Sequence, residues 1–151
     1  MRHPIIVSAC LVGTLFLTAC DQQDKPALDQ SALNVIDESN LNQLMLTAAD
    51  PNEAVAYFQR ASIENPDRLD LQRGLALSLV RANKVREGAS AWERVVANEK
   101  SETVDKIELA DAYIRLSEWS KAEEVLDTVP PTYETFKRYR LEAMVADSNK
   151  E

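Results

Sequence analysis

Few side chains in this 151-residue sequence could do chemistry, and they are unevenly placed. Carboxylates occur in pairs, Glu123 with Glu124, Asp105 with Glu108 and Asp147 with Glu151, the grouping that general acid–base catalysis uses. No histidine or glycine-rich loop accompanies them: the sole histidine is His3, and the chain has three glycines. Ser-His-Asp, Cys-His and histidine-ligated metal sites therefore have no members in the body of the chain, and the carboxylate pairs read as exposed helix faces of an acidic protein. No metal-ligand spacing occurs, so neither enzymatic activity nor a cofactor is expected. The only cysteines, Cys10 and Cys20, both fall at the very start of the chain, which leaves no disulfide framework for the rest. What remains is arginine. Arg73, Leu77 and Arg81 stand at i, i+4 and i+8, one stripe on a helix, and Arg115 is at i+34 from Arg81. Guanidinium forks in such a row can grip an acidic or extended peptide; arginines solvated beside Asp70 and Asp111 fit the same spacing.

The composition bounds the partners. A net charge of −8 argues against nucleic acid, which calls for a basic patch, and accords with simple solubility. The length suits one domain.

The elements that must position the arginines come from an internal repeat. Ala54, Phe58 and Ala61 are matched at i+34 by Gly88, Trp92 and Val95, and at i+68 by Ala122, Leu126 and Val129. Leu41, Leu75 and Leu109 share the step, as do Asn42, Ala76 and Ala110, and Met45, Leu79 and Tyr113. A fixed period of this size marks stacked helix hairpins. The small slots let two helices approach, the large ones fill the gap between hairpins, and hairpins stack because one alone cannot bury its apolar face.

The helical periodicity predicts a first helix over 33–49, with Leu33, Ile36, Leu41, Leu44, Met45 and Ala48 on one face. Asp50-Pro51 starts the next, with Asp50 as cap, Pro51 at the first position and Glu53 two later; Asn65-Pro66 stops it. Further helices are expected over 69–83 and 85–98, with Asn83 in the left-handed position between them. Two more are expected over 103–116 and 120–128, capped from Ser101 and Ser120, with Trp119 as a hydrophobic staple. A last helix over 133–146 would bury Phe136, Tyr139, Ala143 and Ala146. The repeat falters there: the strict step from Leu109 lands on Ala143, while Leu141, two positions earlier, is the better match.

These slots resemble the tetratricopeptide repeat (TPR): a large-small pair, a later large slot, then small, large, small and a terminal proline, which is Pro66 in the first copy and Lys100 and Glu134 in the next two. The resemblance implies an all-α right-handed solenoid of about three hairpins plus one helix, with repeats near 35–68, 69–102 and 103–134 and a partial fourth over 135–151. It also implies that the first helix of each hairpin lines a concave partner-binding groove. Carried onto this sequence, that groove contains Arg73, Leu77, Val80 and Arg81 in one copy and Ile107, Asp111, Ile114 and Arg115 in the next. Leu77 stands where carboxylate-clamping relatives use asparagine, a departure that weighs against that mode. This helix reads either as a C-terminal cap or as the first helix of an incomplete fourth hairpin; because it is still apolar where a cap would carry a polar outer face, the second is expected.

The N-terminus has a basic start at Arg2, an apolar run from Ile5 to Leu17, and Leu17-Thr18-Ala19-Cys20 followed by polar sequence. The run is short for a spanning helix and suits a signal-peptide core. The box resembles the bacterial lipobox, which implies cleavage after Ala19, acylation of Cys20 and membrane attachment through lipid on the periplasmic side of a bacterial envelope. Loss of residues 1–19 removes Arg2 and no acid, and takes the charge from −8 to −9. Asp21 resembles an inner-membrane retention signal, and the choice of inner or outer membrane stays open. Residues 20–32 read as a tether reaching at most ~35 Å. Together the leader and the repeats resemble TadD-type lipoproteins of Flp (tight-adherence) pilus assembly. That implies a protein–protein scaffold with secretin or pilus-assembly partners and no nucleic acid. Pilotin-like lipoproteins, adaptors of outer-membrane assembly or of peptidoglycan enzymes, and a truncated copy of such a protein share the pattern.

Overall fold

The structure, a computed structural model, describes residues 40–150. The leader, Cys20, the tether, the start of the first expected helix and Glu151 lie outside the described residues. All the regular structure among the described residues is helical, with no strand. Helix α1 covers 40–47, followed by α2 (Pro51–Glu64), α3 (Leu69–Arg81), α4 (Val85–Val96), α5 (Thr103–Arg115), α6 (Trp119–Asp127) and α7 (Phe136–Ser148).

The boundaries repeat. Helices α2, α4 and α6 begin at Pro51, Val85 and Trp119, and α3 and α5 begin at Leu69 and Thr103, all with the same step as the sequence slots. The stops between paired helices also coincide. After α3, Lys84 N donates to Leu79 O (2.9 Å) and Asn83 N to Val80 O (3.1 Å), with Asn83 at φ 60°. After α5, Glu118 N donates to Tyr113 O (2.9 Å) and Ser117 N to Ile114 O (2.9 Å), with Ser117 at φ 59°. Both are Schellman stops, in which a left-handed residue returns two amides to the last turn. The sequence points to Asn83 in that role but not to Ser117, because serine carries little preference for the conformation.

Side-chain caps explain three of the six starts from α2 to α7. Asp50 accepts from Asn52 N (2.8 Å) and Glu53 N (3.3 Å), and Pro51 stands first in α2, as expected. At α5 the cap moves from the expected Ser101 to its neighbour Glu102, whose amide donates to Asp105 Oδ2 (2.8 Å). At α6 the cap is Glu118, not Ser120; Trp119 is the first helical residue, half-buried against the core, and Ser120 is exposed. The return of chain through the Ser117 stop fixes where α6 can start, overriding the capping preference of Ser120.

From α2 onward each helix packs on the next in chain order, and α7 additionally meets α5. The shared slots form the core: Trp92, Val95, Ala110, Tyr113, Ala122 and Leu126 are all buried in one cluster. A second cluster, Ala54, Phe58 and Leu71, seats Met45 and Leu46 of α1, and Tyr57 Oη donates to Asn42 Oδ1 (2.7 Å). Fully burying a side chain the size of Phe58 contributes about 1.5–3 kcal/mol. Phe58 reaches its place because Gly74 leaves room: a Cβ at Gly74 would stand 2.5 Å from the ring's Cδ1.

Helix α7 departs from expectation. It starts at Phe136, capped by Thr135 Oγ1, which accepts from Arg138 N (3.3 Å). Its buried residues are Leu141 and Val145, whereas Phe136 is 84% exposed and Tyr139, Ala143 and Ala146 are exposed too. The expected apolar stripe thus faces outward. The cause lies in the Pro130–Tyr133 turn: Arg138 Nη1 donates to Pro130 O (2.8 Å) and Tyr133 O (3.3 Å), which sets the rotation of α7 and turns Leu141 and Val145 inward.

Candidate functional site

The groove residues read from the sequence lie on α3 and α5, but most are engaged by the protein itself. Arg73 Nε and Nη2 donate to Asp105 Oδ1 and Oδ2, both at 2.8 Å, a bidentate pair joining α3 to the start of α5. Arg73 Nη2 also reaches Glu102 Oε1 (3.2 Å) and Lys100 O (3.3 Å). The hydrogen bond to Asp105 raises the Arg73 guanidinium pKa further above its ordinary value, so it stays charged. Asp105, 1% exposed, is therefore no member of a solvated carboxylate face. Glu108, which the sequence pairs with it, instead accepts from Lys137 Nζ of α7 (2.6 Å).

Arg81 is exposed, yet its Nη1 donates to Leu46 O (2.5 Å) and Met45 O (3.3 Å) and its Nη2 to Ala49 O (3.4 Å). A cation on the terminal carbonyls of α1 satisfies unpaired acceptors and opposes the helix dipole. Ile107 and Ile114 are buried in the core, and Leu77 and Val80 are half-buried against it.

The face that remains open is centred on Asp111. Its Oδ2 accepts from Arg115 Nε (3.0 Å), and its Oδ1 lies 3.5 Å from Arg140 Nη2 of α7. One mostly buried carboxylate thus serves two guanidinium groups whose side chains are 52% and 50% exposed. The arrangement leaves a net positive pair able to receive an anionic group or backbone carbonyls. The sequence places Asp111 and Arg115 here but not Arg140, because the slip before α7 breaks the step that would have aligned it. Asp105 goes unread for a different reason. Its partner sits on another hairpin, and the local signal was only the amide of Glu102, three positions back.

Tyr113 stands apart from this face. Its Oη donates to Glu93 Oε1 (2.6 Å), and Lys121 Nζ lies 5.2 Å from the ring centroid. Burial, and then the Glu93 hydrogen bond, push the phenol pKa well above its ordinary value of 10.0.

Among the described residues no group of histidine, cysteine and carboxylate side chains could hold a metal ion, and no helix is long and apolar enough to cross a membrane. No protein-family model matches this chain, and no curated protein matches it either.

Proposed function

We propose that this chain is a non-enzymatic adaptor: a TPR-like right-handed α-solenoid, anchored in a bacterial envelope through lipid on Cys20, that holds a protein partner on the faces of α3, α5 and α7. The observation that carries the reading is the regular recurrence of helix starts together with the paired left-handed stops at Asn83 and Ser117. Repetition of backbone geometry at that step, on top of the repeated small and large slots, is what an array of stacked hairpins requires. The partner face is centred on Arg115, Arg140 and Leu77. Arg73 and Arg81 hold neighbouring helices in place and act on a partner only through that. The leader and repeats favour an envelope assembly of the Flp-pilus or secretion kind, and the membrane, inner or outer, follows from sorting at Asp21.

The test is site-specific photocrosslinking in cells. A photoreactive amino acid at Leu77 or Arg115 is expected to capture a discrete envelope protein, while one at Glu64, on the exposed end of α2, captures none. Absence of any product from the first two positions, or identical products from all three, would sink the adaptor reading. In parallel, Cys20→Ser is expected to abolish incorporation of labelled palmitate. Retained labelling removes the anchor.

A further inference from the structure

Helices α2 and α4 both pack on α3, and a furrow runs between them over its surface. Its cavity volume is ≈ 520 Å³. Val55, Leu75 and Leu79 supply an apolar floor, Gln59 and Ser90 polar walls, and Lys84, Arg86 and Arg94 a basic rim against the single carboxylate of Glu87. Arg94 also borders the smaller continuation of the furrow towards Pro66 and Gln72, so one guanidinium overlooks the whole length.

The same furrow recurs one repeat later, between α4 and α6 over α5, and there the protein uses its own groups. Gln59 becomes Glu93, Leu79 becomes Tyr113, and the two are bonded to each other at 2.6 Å. Gln72 becomes Lys106, which donates to Thr128 O (3.3 Å), and Glu87 becomes Lys121, which pairs with Glu118 (2.8 Å). In the first furrow, by contrast, the side chains of Lys84 and Arg94 have no hydrogen-bond or ion-pair partner among the described residues, and the Arg86 guanidinium has only a 3.5 Å contact with Glu118. Cations with no internal partner, gathered over an apolar floor in a protein of net charge −8, form a surface complementary to an acidic ligand.

We propose that the α2–α4 furrow is a second docking site, distinct from the α3–α5–α7 face, and that it takes a short acidic peptide segment of a partner protein with a leucine-sized side chain among its carboxylates. The leucine sits on Leu75 and Leu79, and the carboxylates meet Arg94 and Lys84. The furrow does not depend on which protein the other face holds.

The test uses the full chain in non-ionic detergent and a rhodamine-labelled peptide of alternating aspartate and leucine, followed by fluorescence anisotropy. Saturable binding that weakens with salt is expected. The double variant Lys84→Glu/Arg94→Glu is expected to lose about tenfold or more in affinity, with helix content unchanged because both side chains are exposed. Lys121→Glu, in the closed furrow, is expected to bind as the parent does. A peptide in which lysine replaces aspartate is expected not to bind. The proposal is overturned by no saturable binding of the acidic peptide, by equal binding to the double variant, or by binding of phosphatidylglycerol vesicles with none of the peptide, which would assign the basic rim to a lipid surface. Loss of this binding with crosslinking from Leu77 and Arg115 intact sinks the furrow alone; the converse sinks the adaptor face alone.

Discussion

A carboxylate as deeply buried as Asp105 needs donors in place of the water it gives up, and three supply it: two from Arg73 and the amide of Glu102. The two partners are not equivalent, because Arg73 is 24% exposed and Asp105 is not. Removing the arginine strands a buried charge, whereas removing the acid leaves a guanidinium that can turn to Glu102 or to water. Arg73→Ala is therefore expected to cost about 3 kcal/mol and Asp105→Ala about half that, measured by urea denaturation. Equal costs would refute the asymmetry. Tyr113 offers a pH signature. Its phenol pKa is raised in the folded chain, so the unfolded state loses the proton first; the stability it contributes is complete below pH 10.0 and is lost as pH rises through the folded value. In a titration followed by phenolate absorbance, an ionisation step well above the ordinary tyrosine value is expected, and Tyr113→Phe is expected to remove it. At this scale little is legible in the sequence. Arg73 and Arg81 are visible as a stripe, but nothing local identifies Asp105 or the carbonyls of α1 as their partners, since those contacts exist only once separate hairpins have packed.

Elements are far more legible, because helix pairs are specified by spacing. The positions of Ala54, Phe58 and their repeats place α2 to α6 closely, and Asp50-Pro51 marks a boundary outright. Where a turn decides the boundary, the sequence misleads. Ser117 carries no signal for its left-handed conformation, so spacing and capping alone start α6 too late, and the Pro130–Tyr133 turn reverses the face of α7. Ser117→Gly is expected to stabilise the protein by about 0.5–1 kcal/mol, since glycine adopts φ 59° without Cβ strain; a melt no higher than the parent's would count against a strained stop. Gly74 behaves in the opposite sense. Alanine there gains helix propensity of about 1 kcal/mol, yet its Cβ meets the Phe58 ring, which is 1% exposed. Gly74→Ala is expected to destabilise by about 1–3 kcal/mol, and Gly74→Ala with Phe58→Leu to recover part of the loss.

At the scale of the whole, the described residues form a row of helices packed mainly on their chain neighbours, with α7 also meeting α5, Arg73 tying α3 to α5 and Arg81 tying α3 to α1. Stability in such a row is a sum of neighbour terms and falls off towards the ends. Amide exchange is expected to be slowest in α3 to α5 and fastest in α1 and in α7, which buries only Leu141 and Val145; uniform protection would contradict this. Chain-order packing has a mechanical consequence as well. A globule tied by distant strands resists pulling until it breaks at once, whereas a row held mainly by neighbour contacts gives way a pair or two at a time and recoils when released. Stretched in an optical trap, this domain is expected to lengthen in several small, reversible steps at low force. Under the proposed lipid anchor and partner, such a domain would act as a compliant spring between the bilayer and the protein it holds.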